Sequence, residues 1–257
     1  MTTLDWHGTG VSVRAPAIGV GAQIVLLALL WVGVGLRPEG WLAGTIYAVI
    51  LSVILTCALL RSRTRSLGPA DRVTLIRAEL VGGVTALVAT TWVGRATPAG
   101  LIVALASVAL VLDAVDGYVA RRTGTVSALG ARFDMEVDAF LILVLSVFVA
   151  TSLGAWVLAI GAMRYAFAAA ARVAPWLRAP LPPSFARKTV AALQGIILVV
   201  ASAGVAPGPV ATGLVGLALA SLMWSFGRDI GWLWRNRRPR PLPAVTRYRE
   251  AAVPVAR

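Results

Sequence analysis

The chain of 257 residues holds one cysteine, one histidine, one lysine and only eleven acidic residues. A single cysteine, Cys57, excludes any intrachain disulfide. Neither Cys57 nor the lone histidine, His7, lies near the acidic residues discussed below, which argues against a zinc centre. Charged residues make up 14% of the chain, where a soluble domain carries about 25%, so an ordinary soluble globular protein is excluded. Residues 1–15 lack the basic start and the small-residue cleavage site of a secretory signal peptide. No internal repeat and no soluble catalytic domain is evident.

What is abundant is apolar: 58% of the residues are hydrophobic and mean hydropathy is +0.82. Eight apolar runs, at roughly 16–36, 41–60, 78–94, 98–120, 131–152, 155–173, 189–206 and 209–227, are long enough to cross a bilayer as helices. The net charge of +13 comes from arginines clustered between these runs. That placement follows the positive-inside rule and argues against nucleic acid as the partner. Alternation puts Arg14, the 61–77 cluster, Arg121, Arg122 and Arg132, the 172–188 cluster and the Arg/Pro-rich tail on one side, with only Arg37 and Arg95 on the other. The expectation is a multi-pass protein of the plasma (cytoplasmic) membrane, with both termini and the basic loops in the cytoplasm. Trp224, Trp232 and Trp234 have the spacing of an interfacial aromatic belt. Pro69 and Asp71 resemble a helix start. Val73, Ile76 and Leu80 form an apolar stripe that predicts a helix lying at the interface over the segment before the third run.

Five of the eleven acids fall between Asp113 and Asp138, where two apolar runs meet across a short basic loop. One Asp at the centre of a membrane helix costs about 2.5–3.5 kcal/mol, so four unpaired ones would cost on the order of 10 kcal/mol. Divalent cations are the simplest offset. Asp113 and Asp116 are three apart and share a helix face, and Asp134 and Asp138, four apart, share another. Two such helices side by side point four carboxylates into one gap. Oxygen-only ligation suits Mg2+ or Mn2+, and two carboxylate pairs suit two metals bridging the phosphates of a substrate. Gly117 and Gly130 remove side chains where a ligand or a backbone must come close. Glu136 lies off the Asp134/Asp138 face and reads as a partner for a nearby arginine.

Asp113, Asp116, Gly117, Ala120, Arg121, Gly130, Asp134 and Asp138 form the pattern D-x2-D-G-x2-A-R-x8-G-x3-D-x3-D. In it the chain resembles the CDP-alcohol phosphatidyltransferase family at every fixed position. The resemblance implies an all-α polytopic membrane bundle. Its parts are a six-helix catalytic core at 69–234, two extra transmembrane helices within 1–68, the interfacial helix, and a basic tail at 235–257. It implies transfer of a phosphatidyl group from CDP-diacylglycerol to a small alcohol with release of CMP, among membrane lipids, by a homodimer. Asp113, Asp116, Asp134 and Asp138 would hold Mg2+ or Mn2+, with Asp138 also the candidate base. Gly117, Ala120, Arg121, Gly130 and Asp113 would line the CDP-alcohol. Thr74 and Arg77 match two positions of the family's N-x-x-T-x-x-R segment and are expected on the same substrate, while Asp71 replaces the Asn. Lys188, Thr189 and Gln194 resemble the K-T…Q segment of phosphatidylglycerophosphate synthases, with altered Gln spacing.

Arg164, Arg172, Arg178, Arg187 and Lys188 cluster late in the core. Several cations at one mouth point either to an acceptor with its own phosphate, such as glycerol 3-phosphate or inositol phosphate, or, for those at 172–188, to topology determinants and lipid-headgroup contacts. An arginine well inside an apolar run, as Arg164 is, marks a functional site by default. Intramembrane carboxylates also mark ion paths, which leaves a divalent-cation or proton transporter as the alternative, together with an inactive family member. Transporters usually carry repeated halves with broken helices, and this chain does not.

Overall fold

A computed structural model of the chain describes residues 14–62, 69–94, 97–123 and 128–237. His7, Arg63, Arg65, Arg95, the 124–127 loop and the tail beyond 237 lie outside the described residues, as do the side chains of Arg14, Arg61, Asp116, Ala120 and Arg121. The described residues form eight α-helices and no strand: α1 Arg14–Val34, α2 Pro38–Ser62, α3 Pro69–Trp92, α4 Ala99–Thr123, α5 Ala128–Leu153, α6 Leu158–Val173, α7 Phe185–Ser202 and α8 Gly208–Arg235. Short 3-10 turns at Ala155–Val157 and Pro175–Arg178 flank α6.

Among the described residues, seven of these helices are long and apolar enough to cross a membrane. The eighth, α4, is 25 residues long, and the apolar stretch described in it is Ala99–Val115. The protein is an integral membrane protein of helical-bundle type.

The bundle is built on α3. About two thirds of its spanning window is buried, 67% against 22–39% for the other six, and it packs on α1, α2, α4 and α5. Ala78, Val81, Val84, Ala86 and Leu87 of α3 are fully buried. Lipid tails are as apolar as leucine, so helices in a bilayer associate through close packing at small residues. Gly40 of α2 shows this against α3: a Cβ there would lie 2.6 Å from the Ala86 carbonyl oxygen. Gly161 of α6 lies equally close to α5, where a Cβ would sit 2.5 Å from the Leu143 Cα. Helices α7 and α8 pair through Gln194, whose amide donates to the Ala218 carbonyl (3.0 Å) and the Ser221 hydroxyl (3.3 Å). Outward faces carry Ile18, Val25 and Val32 on α1 and Leu42, Val49 and Val53 on α2, all exposed, as lipid contact requires. Near the end of α8, Trp234 packs edge-on against Trp176 at 5.4 Å, and Arg228 lies over Trp224.

The segment expected as a separate interfacial helix is continuous with the membrane helix, forming the first turns of α3. Of its apolar stripe, Ile76 is 57% exposed and Val73 and Leu80 are half-buried, while Thr74 and Arg77 are buried. In water the apolar face turns inward. In a bilayer the lipid takes the apolar face, and the polar one turns to the protein interior.

Candidate functional site

Three helices bring the charged residues together. Asp113 comes from the last turns of α4, Asp134 and Asp138 from successive turns near the start of α5, and Arg77 from the third turn of α3. One oxygen from each of Asp113, Asp134 and Asp138 lies within 4.8 Å of the others. The two-helix convergence expected from spacing is therefore present for these three carboxylates. The side chain of the fourth, Asp116, is outside the described residues, although its position falls within α4.

Arg77 is the feature that sequence reasoning assigned differently. Its guanidinium sits at the centre of the cluster. Nη1 donates to Oδ1 of Asp113 and, at 2.6 Å, to Oδ1 of Asp138, and Nη2 donates to Oδ1 of Asp134. Arg77 is fully buried, whereas the three aspartate side chains are 35–39% exposed. The cation thus backs the carboxylates, and the carboxylates open outward. A planar guanidinium with five donors bridges several carboxylates in a way an ammonium does not. With the carboxylates ionised, one positive charge against three negative leaves −2, the charge that one divalent cation balances. The signal available in the sequence was the opposite sign of Arg77, but no spacing rule links residues 36, 57 and 61 positions apart.

Thr74 is buried one turn before Arg77 and on its side of α3. Gly117 is half-buried in α4. Gly130, also half-buried, is four residues before Asp134 and so on the Asp134/Asp138 face of α5. The side chains of Ala120 and Arg121 are not among the described residues.

The five late cations fall into two groups. Arg164 forms an ion pair with Glu136, the partner expected for that acid. Arg187 pairs with Asp229 of α8 at 3.0 Å and also donates to the Pro182 carbonyl at 2.6 Å. Arg178 donates from Nε to the Ala171 carbonyl at 2.8 Å. Arg172 and Lys188 are exposed. Glu136 is two residues from each of Asp134 and Asp138, about 160° around α5 from either at about 100° per residue, and Arg164 reaches it from α6. Thr189 is exposed and Gln194 buried, so the Lys188, Thr189 and Gln194 side chains do not share one surface.

No curated protein and no solved structure matches this chain. The sequence model of the family described as CDP-alcohol phosphatidyltransferase matches residues 67–225, more than half of the chain. The match begins just before α3 and ends within α8. It takes in Arg77 and all three clustered aspartates, and leaves out α1 and α2. On that match, the chain belongs to the CDP-alcohol phosphatidyltransferase family.

Proposed function

We propose that the protein transfers a phosphatidyl group from CDP-diacylglycerol to a hydroxyl of a small polar acceptor, with release of CMP, in phospholipid biosynthesis. The observation that carries this reading is the convergence of Asp113, Asp134 and Asp138 on one point around Arg77. The donor's lipid tails reach the site from the bilayer, and its nucleotide from the basic side of the membrane. Positive-inside alternation makes that side the cytoplasm.

The donor set fits a hard divalent cation. Ca2+, Mg2+ and like ions bind carboxylate oxygens at about 2.0–2.6 Å, so oxygens on opposite sides of one ion lie about 4–5 Å apart. The three oxygens within 4.8 Å meet that span. Asp113, Asp134 and Asp138 would hold Mg2+ or Mn2+, with Asp116 assigned by the signature. When bound, such an ion neutralises pyrophosphate charge and stabilises the departing CMP.

The remaining chemistry belongs to the chain. The acceptor hydroxyl oxygen forms a bond to the lipid-bearing phosphorus as the bond from that phosphorus to the CMP oxygen breaks. The hydroxyl proton needs a base within hydrogen-bond reach. Asp138 is proposed for it. Arg77 engages Oδ1 of Asp138, which leaves Oδ2 to accept the proton. Gly117, Ala120, Arg121, Gly130 and Thr74 are proposed along the nucleotide and its phosphates, and the functional unit is proposed to be a homodimer. The acceptor is proposed to carry its own phosphate, as glycerol 3-phosphate and inositol phosphate do. Arg172 and Lys188 offer exposed cations, while Arg164, Arg178 and Arg187 are oriented by their protein partners and retain further N–H donors, a guanidinium having five.

The test is a radiolabelled CMP-release assay in membranes with CDP-diacylglycerol and a panel of phosphorylated and neutral alcohols. Release driven by a phosphorylated acceptor supports the reading, and release only with inositol or serine refutes the acceptor class. In the same assay Asp138→Asn lowers kcat more than it weakens donor binding, because a base acts on the hydroxyl and not on the bound nucleotide. Equal losses would make Asp138 chiefly a ligand. Arg164→Lys raises the KM of the acceptor much more than that of the donor, since an ammonium does not copy bidentate phosphate pairing. An unchanged acceptor KM would leave Arg164 as the partner of Glu136 alone.

A further inference from the structure

Helices α1 and α2 lie outside the family match, yet their buried polar groups end on the turn of α3 that presents Arg77. Tyr47 of α2 is buried, and its hydroxyl donates to the carbonyl of Ala78, the residue after Arg77, at 2.9 Å. The ring of Tyr47 stacks on Phe140 of α5 with centroids 5.1 Å apart and planes at 27°. Phe140 is two residues beyond Asp138. One side chain of α2 therefore touches α3 beside Arg77 and α5 beside Asp138.

Gln23 of α1 makes the second contact. It is fully buried. With its amide oriented to satisfy both groups, the nitrogen donates to Oε2 of Glu79 at 2.7 Å and to the Glu79 carbonyl at 3.0 Å. Glu79 is itself 8% exposed. Gly82 makes room for this contact, because a Cβ there would lie 2.4 Å from the Gln23 amide. A buried carboxylate in a bilayer needs a partner, and α1 supplies it. Arg77, Ala78 and Glu79 are consecutive, so successive residues of one turn are held by α4 and α5, by α2 and by α1.

We propose that Tyr47 and Gln23 are positioning residues, and that α1 and α2 form a brace fixing the rotation of α3 and its spacing from α5, so that Arg77 meets the three carboxylates. The physical need is clear from the site. Arg77 reaches oxygens on two other helices at once, and a rotation of α3 would withdraw it from all three. Residues that orient ligand-bearing groups typically govern metal affinity by about 10–100-fold. The role given to the brace rests on the reading of the carboxylates as a metal-dependent transferase centre.

The experiment uses the full-length protein purified in detergent, with Mn2+ as the probe. Mn2+ binding is followed by electron paramagnetic resonance, CMP release by the radiolabel assay, and folding by thermal unfolding, for wild type, Tyr47→Phe, Tyr47→Leu and Gln23→Leu. Tyr47→Phe keeps the stacked ring and loses only the hydrogen bond. The expected result is Mn2+ binding about 10-fold weaker in Tyr47→Leu and Gln23→Leu, with a smaller loss in Tyr47→Phe. The kcat for CMP release should fall in the same order. Variants that fold and bind Mn2+ as wild type does overturn the proposal. So do variants whose only change is a lower unfolding temperature. Wild type that releases no CMP with any acceptor, while the variants still lose Mn2+ in that order, refutes phosphatidyl transfer and leaves the brace standing.

Discussion

Asp113→Asn and Asp134→Asn are each expected to abolish CMP release, with the protein still inserted and folded. The substitution is nearly isosteric, so packing of α4 and α5 survives. What changes is charge. Each of these carboxylates contributes one negative charge to a cluster whose oxygens lie within 4.8 Å of one another. An amide in that place binds a hard cation weakly and supplies no charge. Metal charge stabilisation of a phosphoryl transition state is worth several kcal/mol, and about 4 kcal/mol is about 10^3 in rate. A loss of at least that size is expected, together with a shift of the Mg2+ or Mn2+ requirement to higher concentration. Asp116→Asn is expected to behave alike. Chelation of wild type should reproduce the loss, and added Mg2+ or Mn2+ should reverse it. Near-wild-type rates in Asp113→Asn or Asp134→Asn, at equal protein level, would remove the metal assignment.

Arg77→Ala is the second large effect, and it separates two roles for the same residue. The family segment T-x-x-R points to contact with the CDP-alcohol, whereas the structure has Arg77 bonded to Asp113, Asp134 and Asp138. Removing one partner of a buried ion pair costs about 3–5 kcal/mol, because the other partners are left uncompensated. The aspartates here are 35–39% exposed, and solvent screening reduces that figure. Arg77→Lys is the sharper test. An ammonium restores the charge but does not bridge carboxylates from two helices with a planar fork. If Arg77 chiefly organises the carboxylates, Arg77→Lys lowers kcat by about 10–100-fold and alters the Mn2+ dependence, with the donor KM little changed. If it chiefly holds the nucleotide phosphates, the donor KM rises and Mn2+ binding is untouched. Measuring both constants across a Mn2+ series decides between them.

Much of the site was legible in the chain because it is local. Asp113 and Asp116 on one turn, and Asp134 and Asp138 on another, follow from helical spacing alone, and so does the removal of Glu136 from their face. Hydropathy located the membrane helices for the same reason: a bilayer demands long apolar runs, and these are contiguous in sequence.

Rotation and partnership were not legible. An apolar stripe says which face is greasy, not whether lipid or protein covers it, so Ile76 turned outward and Arg77 inward. The centrality of α3 came only from packing. Gln23, Tyr47 and Glu79 drew no notice in a linear reading, as a single polar residue in an apolar run carries no spacing signal. Sequence by itself determined the membrane class, the acidic centre and the family. Tertiary structure decided that one buried arginine joins three of the aspartates, and that α1 and α2 grip the turn that carries it. Local patterns are written in contiguous residues, whereas an ion pair between residues 61 positions apart exists only once the helices have packed.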